Sequence, residues 1–431
     1  MPAVAILHSQ DLIEEWLDHL GLSLDDFKRE LVGSWMFTYA DALSRAGVAT
    51  VFVLITEHVR EPERTLHVPT GATIWLVPAP RSYSFLRRVL TSRRLRGRRV
   101  PRAVLRHLAP YLATPLRPLA RVLRAERCRA IICQEYECPR FDVAVLLGRT
   151  IGVPVFPSFH AGDHRSRLER LLHPLSVRAC AGVIISPEGE ARRAQRVYGI
   201  PEAKLARIPN PIDLEVWRPV GRADARATLG IPADGLVAIW HGAFYLREKG
   251  LDLLLEAWDQ VTRERNDADL RLLLVGGGVD SHELQRLIDH RHIRGAQLVD
   301  RWLHDREQLR LYLSAADVYV FPSRNGDGHE LALLEAMSCG LPIVAAEIGG
   351  TAETVGADGA AGGVMVPPND PEALADAVGR LLDDPDLRGE LARRALLRVD
   401  ERFSLDVVGE QMRDFLITRG MREANPRVPT P

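Results

Sequence analysis

The sequence, 431 residues long, has few of the features that mark secreted, membrane-spanning or metal-stabilised proteins. Its five cysteines are odd in number and form no CxxC pair. We therefore expect reduced, partly buried thiols rather than disulfides or a structural zinc site. No apolar run approaches the roughly 20 residues that a membrane span requires. The N-terminus lacks the basic segment and cleavage site of a signal peptide, so we expect a cytoplasmic protein.

The sequence has almost no net charge, at −1, but the two signs are unevenly distributed. Residues 1–210 contain 31 Lys and Arg against 20 Asp and Glu, whereas residues 211–431 contain 25 against 37. Much of the positive excess lies between Arg81 and Arg129, where Glu126 is the only acid. Such asymmetry indicates that the first half meets something anionic.

The densest part of this basic stretch, Arg87–Arg106, has three interpretations. It is a solvated helical face, or it docks on anionic lipid, or it binds nucleic acid. We disfavour the third because no recognition module accompanies the charge. Peripheral contact of the Arg81–Arg129 region with the inner membrane face stays open, and no nucleic-acid partner is expected.

Short β-branched segments alternate with helical patterns along both halves of the chain. This alternation is typical of parallel sheets covered by helices, and the length calls for two domains of about 200 residues. Strands are predicted at Val4–His8, Thr50–Ile55, Thr73–Val77, Ala130–Cys133, Val153–Phe156, Gly182–Ser186, Val237–His241, Leu270–Val275, Gln297–Val299, Val318–Phe321, Ile343–Ala346 and Gly363–Val366. The fold class is therefore α/β, with two Rossmann-like, doubly wound domains.

The junction between the domains is predicted at Ile208–Asp213, where Pro209 and Pro211 exclude helix. The first domain then covers residues 1–208 and the second covers residues 209–404. A helix at about residues 405–420 can pack back on the first domain, and residues 421–431 form a flexible tail.

The most informative segment runs from Val318 to Gly350, where a strand, a polar loop with glycines and a helix follow one another. The start of such a helix offers free N–H groups and the positive end of its dipole to an anion. Asp327 in the loop and Glu335 in the helix can bind two separated sets of hydroxyl groups, such as those of a hexose and a ribose. The alternative interpretation is that neither residue binds a ligand, and that Asp327 is an ordinary turn residue and Glu335 a solvated helix residue.

This segment resembles the signature of glycosyltransferase family 4, in which a loop acid precedes a helical glutamate by eight positions and AMxxGxP follows. The resemblance covers roughly Ile184–Leu416 and implies the GT-B fold, with two Rossmann-like domains facing across a crevice. It implies that Glu335 binds the nucleotide ribose and that Asp327, where the family usually has glutamate, contacts the donor sugar. Glu330 is a possible substitute for Asp327. The other implied donor contacts in this segment are Gly328, His329, Leu331 and Ala332.

A second polar loop, residues 241–252, contains two cations after a strand. Cations at the mouth of a crevice can neutralise a leaving diphosphate when no metal does so. Lys249 matches the lysine that the family has before its second glycine. The family's arginine after the first glycine, here Gly242, is missing because Ala243 and Phe244 occupy that region. Arg247 is the predicted substitute, the alternative being an exposed loop charge.

Weaker matches extend the predicted donor site. Gly276 and Gly277 end a strand as the family's second-domain glycine loop does, and Arg301 lies in a stretch that resembles the nucleobase-lining segment. In the first half, His160 matches a histidine that family members often place close to the donor sugar, the alternative being an ordinary loop histidine. Gly33 resembles the glycine turn whose amides approach the leaving phosphate. Before it, residues 11–31 form an acidic, helix-like insertion that the family motif does not predict.

The resemblance implies a retaining glycosyltransferase that needs neither a metal nor another cofactor. Its donor would be a UDP- or GDP-sugar, and its acceptor a hydroxyl of a carbohydrate, lipid-linked or small molecule. The leaving phosphate would take the acceptor proton, so no strong protein base is required. Two alternatives stay open: a GT-B sugar-nucleotide epimerase, and a nucleotide-sugar-binding scaffold with weak or no catalysis.

Overall fold

The computed structural model describes residues 2–20, 22–29, 31, 35–90, 109–160, 169–265, 269–301, 303, 305–324, 331–356 and 361–422. The chain divides into two compact units. The first unit comprises Met1–Ile208 and Val408–Pro431, and the second comprises Pro209–Val407.

The first unit is built on an eight-stranded sheet in the order β3-β4-β2-β1-β5-β6-β7-β8. Every pairing is parallel except that of β3 with β4. The strands are β1 (Ala3–Leu7), β2 (Ala49–Thr56), β3 (Glu63–Leu66), β4 (Thr73–Pro78), β5 (Cys128–Gln134), β6 (Val155–Ser158), β7 (Val183–Ile184) and β8 (Leu205–Ala206). The helices before the domain junction are α1 (Ile13–Leu20), α2 (Leu24–Arg29), α3 (Trp35–Arg45), α4 (Arg81–Leu90), α5 (Ala109–Leu112), α6 (Leu116–Ala125), α7 (Pro139–Ile151), α8 (Glu169–Ala179) and α9 (Glu188–Tyr198).

The second unit has a fully parallel six-stranded sheet in the order β11-β10-β9-β12-β13-β14, the doubly wound order of dinucleotide-binding folds. Its strands are β9 (Leu236–Ala243), β10 (Leu270–Gly277), β11 (Ala296–Asp300), β12 (Val318–Phe321), β13 (Ile343–Ala346) and β14 (Gly363–Val366). Its helices are α10 (Arg222–Leu229), α11 (Leu251–Glu264), α12 (Ser281–Arg291), α13 (Arg306–Ala315), α14 (Leu331–Ser338), α15 (Thr351–Val355), α16 (Pro371–Asp383) and α17 (Pro385–Phe403). The predicted α/β class with two doubly wound sheets is confirmed.

Both faces of each sheet are buried, as expected of parallel sheets covered by helices. In the first sheet Ala5 and Val53 belong to one core cluster, whereas their chain neighbours Ile6 and Leu54 belong to another. Successive side chains of a strand point to opposite faces, so the two clusters lie on the two sides of the sheet. This two-sided burial explains why the strands read as continuous apolar runs in the sequence.

All twelve predicted strands are present, and β3 and β8 are additional. Strand β3 has the sequence Glu-Arg-Thr-Leu and is largely exposed at the sheet edge, so it lacks an apolar pattern. Strand β8 has only two residues. The predicted helix-like insertion, residues 11–31, contains α1 and α2.

The last helix of the chain, α18 (Leu405–Thr418), belongs to the first unit from Val408 onward. Its residues Val408, Met412 and Leu416 are fully buried in the core cluster that includes Ile6 and Leu54. A Cβ atom added at Gly409 would lie 2.1 Å from the carbonyl oxygen of Ala42, so the helix packs closely on α3.

The five cysteines, all in the described part of the chain, are buried and form no disulfide. Among the helices that the structure describes, none combines the length and apolar character needed to cross a bilayer.

Candidate functional site

In an open doubly wound sheet, ligands bind outside the carboxyl ends of the strands where the strand order reverses. In the second unit this point lies between β9 and β12. Residues singled out from the sequence lie at the carboxyl ends of four strands of this sheet or in the segments that follow them: Gly242 in β9 and Arg247 and Lys249 after it, Gly276 and Gly277 in β10, Arg301 after β11, and Leu331, Ala332 and Glu335 in α14, the helix that follows β12.

Glu335 is held by a buried hydrogen bond at this edge. Its carboxylate Oε2 accepts a hydrogen bond of 2.8 Å from Nε2 of His241, and the two side chains are only 11% and 5% exposed. The ring of Tyr319 packs edge-on against His241, with centroids 5.4 Å apart. Glu335 is therefore not a solvated helix residue, because it is buried and its carboxyl group is hydrogen-bonded to a buried partner.

His241 is a site residue that the sequence did not reveal. It ends the apolar part of β9, directly before Gly242, and its role depends on a partner 94 residues away. Its other ring nitrogen, Nδ1, is buried and has no hydrogen-bond partner within the described part of the chain. Buried polar atoms without a protein partner are uncommon and are a feature of ligand sites.

The loop between β9 and α11 holds Lys249 in a defined position. Lys249 is half-buried, and its backbone N–H donates to the carbonyl of Tyr245 at 2.9 Å. The next residue, Gly250, has a φ of +65°, and an added Cβ would lie 2.1 Å from the carbonyl oxygen of Pro322. Only glycine fits there, so the loop beside Lys249 lies against the chain that leaves β12.

The structure places Arg247 mostly in solvent. Its side chain is 82% exposed, and Nη1 lies 2.6 Å from Oδ2 of Asp252. Its predicted role at the phosphate is not tested by this placement, since an exposed guanidinium can reorient at little cost.

Arg324 is the cation that fixes this loop, a role that its sequence neighbourhood does not predict. Its guanidinium donates to Oδ1 of Asp252 at 2.6 Å and to the carbonyl of Arg247 at 2.7 Å. A third bond, of 2.7 Å, goes to the side-chain oxygen of Asn369. Burial alone would raise the pKa of Asp252, but the hydrogen bond and charge of Arg324, with the charge of Arg247, hold that pKa below its ordinary value.

The glycine loops after β9 and β10 are packed backbone to backbone. A Cβ at Gly276 would lie 1.9 Å from the carbonyl oxygen of Gly242. The carbonyl of Gly277 accepts from the N–H of Phe244 at 3.0 Å. Arg301 follows β11 on the exposed surface. The predicted residues Asp327, Gly328, His329 and Glu330 lie outside the described residues, as does Gly33.

In the first unit, His160 lies just after the carboxyl end of β6 and stacks on Trp35, with ring centroids 4.0 Å apart. Its Nε2 lies 2.9 Å from the hydroxyl of Ser158, and its backbone N–H donates to Oε1 of Glu135 at 3.1 Å. Glu135 has a φ of 61°, a left-handed conformation that costs a non-glycine residue roughly 1–2 kcal/mol. Trp35 and Glu135 were not predicted from the sequence. His160 is thus part of a fixed polar cluster.

A buried arginine anchors the inserted helices to the same edge of the first sheet. Arg140 donates at 2.7 Å to the carbonyl of His8, after β1, and at 2.7 Å to the carbonyl of Asp11, before α1. Burial, with the charge of Arg140, lowers the pKa of His8 to about 3. His8 is therefore neutral at physiological pH.

Metal ions are the other ligands that clusters of acidic and histidine side chains can bind. Across the residues that the structure describes, no three His, Cys, Asp or Glu side chains come together in a group that could hold a metal ion.

Comparison with known families and sequences gives matches along most of the chain. The family model "Glycosyltransferase Family 4" matches residues 32–216, and "Glycosyl transferases group 1" matches residues 235–384. D-inositol 3-phosphate glycosyltransferase of Acidothermus cellulolyticus is 30% identical over 315 residues, 67% of each chain. The enzyme of the same name from Saccharomonospora viridis is 34% identical over 54% of this chain and 56% of its own length. The match thus spans little more than half of this second relative.

Solved structures with the same fold cover almost the whole chain. Sucrose-phosphate synthase from Thermosynechococcus elongatus has a TM-score of 0.71 at 22% identity, covering 97% of this chain and 99% of its own. The Anabaena protein HepE, in complex with UDP-glucose, has a TM-score of 0.68 at 15% identity, covering 97% and 100%. At these identities the likeness concerns the fold alone, and it confirms the predicted GT-B class.

Proposed function

The chain belongs to glycosyltransferase family 4, and from this premise we propose that it transfers a glycosyl group from a nucleotide-diphosphate sugar to a hydroxyl group of an acceptor. The donor would bind at the carboxyl edge of the second sheet. Most of the residues that the sequence analysis assigned to the donor lie at this edge, among them Gly242, Lys249, Gly276 and Glu335.

The observation that carries this proposal is the buried pair of Glu335 with His241. An anionic carboxylate bound through one oxygen keeps acceptor capacity for two vicinal hydroxyls, such as those of a ribose. The imidazole Nε2–H donates to Glu335, which fixes the carboxylate in one orientation before the ligand arrives. A buried polar pair of this kind contributes little to stability, since well-packed apolar side chains in its place are often as stable or more stable. Its position at the switch point of the sheet therefore favours a role in binding.

We assign Lys249 to the leaving diphosphate. The anomeric C–O bond to the diphosphate breaks as the acceptor oxygen forms its bond to the same carbon, and the acceptor proton passes to a phosphate oxygen. Negative charge grows on the diphosphate during this step, so an ammonium beside it stabilises the transition state more than the ground state. The proposal includes retention of configuration and independence of metal, both of which the resemblance to the family implies. Arg247 would add a second, more mobile charge.

The acceptor side is assigned to the first unit. There, the ring of Trp35 and the polar atoms of His160, Ser158 and Glu135 form a cluster suited to a sugar, which presents an apolar face and a rim of hydroxyls. Within this cluster His160 keeps its predicted role beside the donor sugar. The names of the inositol 3-phosphate relatives support a phosphorylated polyol as the acceptor class. Asp327 and the amides near Gly33 complete the proposed contacts with donor and phosphate.

A donor panel tests the proposal. UDP-, GDP- and dTDP-sugars are incubated with the protein, with and without inositol phosphates and simple glycosides, and nucleotide release is followed together with the mass of the acceptor. We expect one donor to release its nucleotide, and release to accelerate when the acceptor gains a sugar. If a nucleotide sugar binds but no nucleotide is released with any acceptor, the protein is a scaffold. If the sugar of the donor changes configuration without transfer, it is an epimerase.

A further inference from the structure

A cavity of about 510 Å³ lies in the first unit, at the opposite end of its sheet from His160. It is formed where α6 leads into β5, where α7 leads into β6, and after the end of α18. Four arginines line it: Arg124, Arg127, Arg129 and Arg422. The volume falls within the usual range of small-molecule sites, roughly 300–1,000 Å³.

This arginine cavity is separate from the cluster around His160. The cavity includes Cys128, the first residue of β5, whereas Glu135 follows the last. Seven residues of extended strand separate the two ends by about 20 Å. A ligand in the arginine cavity therefore does not touch the polar cluster assigned to the acceptor.

Within the part of the chain that the structure describes, the four arginines have no counterion. None of them forms an ion pair with another described residue. Glu126, which neighbours Arg127 in the sequence, accepts instead from Arg64 at 3.1 Å and from the indole N–H of Trp75 at 2.7 Å. The C-terminal ends of α6, α7 and α18 each bring a partial charge of about −0.5. Together these partial charges offset fewer than two of the four full positive charges.

Arg127 occupies a backbone conformation in which glycine is favoured. Its φ is 51°, and its N–H closes the end of α6 by donating to the carbonyl of Arg124 at 3.1 Å. Helices that end with a residue in the left-handed conformation usually have glycine there, because a residue with a side chain costs roughly 1–2 kcal/mol in this conformation. The chain instead has an arginine at this point, and this arginine is one of the residues that line the cavity. Residues held in a costly conformation are candidates for a functional role.

The remaining wall of the cavity does not oppose an anion. Burial raises the pKa of the Cys128 thiol to about 12, so the thiol is neutral. Gly152 and Gly420 also line the cavity, and an added Cβ at either would meet nothing within 4 Å. The site is thus open and cationic, and none of the described residues that line it carries a carboxylate.

We propose that the arginine cavity is a second binding site for a phosphate-bearing ligand. Planar guanidinium groups match phosphate oxygens in paired hydrogen bonds, which makes arginine the usual residue for such recognition. The phosphate belongs either to a soluble metabolite or to a lipid head group. The proposal is independent of the proposed transfer reaction.

Hydrogen exchange on the full chain tests it, with inorganic pyrophosphate as one probe and phosphatidylcholine vesicles containing phosphatidic acid as the other. We expect slower exchange in residues 124–129 and 151–154. Protection by pyrophosphate identifies a soluble ligand, and protection by vesicles alone identifies a lipid phosphate. No protection by either probe overturns the proposal. Arg149, exposed on α7 and outside the cavity, provides the control variant Arg149→Glu.

The variant Arg127→Gly separates ligand binding from folding. Glycine suits the backbone at this position, so we expect this variant to fold with equal or greater stability. We also expect its affinity for the effective probe to fall roughly tenfold or more, because a hydrogen bond to a charged group is lost. Unchanged affinity in Arg127→Gly, or an equal loss in Arg149→Glu, would contradict the proposal. Pyrophosphate bound near Lys249 does not interfere, since exchange is read at residues 124–129 and 151–154.

Discussion

At the scale of single residues, the second unit is organised by two charged side chains whose partners are far away in the sequence. Glu335 is held by His241, and Asp252 is held by Arg324, 72 residues away. Both pairs lie at the carboxyl edge of the sheet. Along the chain, His241 lies before Lys249 and Asp252 lies after it, so the two pairs fix the loop at both ends. Each pair can be tested by one substitution.

We predict that His241→Phe weakens the binding of the nucleotide diphosphate about tenfold, because the carboxylate of Glu335 loses the donor that orients it. The phenyl ring keeps the packing against Tyr319. The measurement is the Kd of UDP or GDP by titration calorimetry, with His290→Ala on the exposed face of α12 as the control. An unchanged Kd would show that the pair does not serve the nucleotide.

The pKa of Asp252 is lowered in the folded protein, which leads to a prediction on pH. A lowered carboxyl pKa contributes stability that is complete above the unfolded pKa of about 3.9 and is lost as the pH falls through the folded value. We therefore predict that Asp252→Asn is less stable than the parent at pH 6 and that the difference shrinks by pH 3. Urea unfolding at both values measures it. Asp376→Asn, at an exposed position of α16, should show no such dependence, and an equal one would refute the prediction.

The sequence predicted some of these residues and not others, for a physical reason. Glu335, Lys249 and Gly250 lie in continuous segments whose spacing resembles a family signature. His241, Arg324 and Glu135 act through partners that only the folded chain brings near, and nothing in their sequence neighbourhood shows those partners. His241 did have one signal, since a histidine at the end of an apolar strand lies at a ligand-binding edge.

At the scale of elements, the loop between β9 and α11 is fixed by backbone contact as well as by charge. The N–H of Arg324 donates to the carbonyl of Glu248 at 3.0 Å, two residues before Gly250. The loop thus lies directly against the start of the chain segment that contains Asp327. A change in either segment is expected to displace the other.

Gly250→Ala tests this contact. The variant combines the left-handed strain with the clash against Pro322, so we predict a loss of roughly 2–5 kcal/mol of unfolding free energy. Gly230→Ala is the matched control: its φ is +68°, but no atom lies within 4 Å of the added Cβ. The control should lose only about 1–2 kcal/mol. Equal losses in urea unfolding would mean that the contact with Pro322 is unimportant.

At the scale of the whole molecule, the chain order and the packing order differ. Helix α18 is the last helix in the sequence, yet most of it belongs to the unit that begins with β1. The strands were predictable because two-sided burial produces β-branched apolar runs. The helix itself was predictable from its periodicity, whereas its close contact with α3 at Gly409 is visible only in the folded chain.

The pair Leu416→Ala and Leu397→Ala tests this assignment. Leu416 is fully buried, whereas Leu397 on α17 is 49% exposed. We predict a loss of roughly 2–5 kcal/mol for the first variant and less than about 1 kcal/mol for the second. Hydrogen exchange should accelerate in β1 and β2 of Leu416→Ala, although these strands lie more than 350 residues earlier in the sequence. Unchanged exchange there would contradict the assignment of α18 to the first unit.

The central claim is that this chain catalyses glycosyl transfer with Lys249 at the leaving diphosphate. The most direct measurement is the kcat for nucleotide release from the preferred donor, compared between the parent, Lys249→Ala and Lys28→Ala, whose lysine pairs with Asp25 on α2. We predict that Lys249→Ala lowers kcat roughly 10²-fold, as expected when one donor to a growing oxyanion is removed, and that Lys28→Ala has no effect. Unchanged turnover in Lys249→Ala would contradict the account.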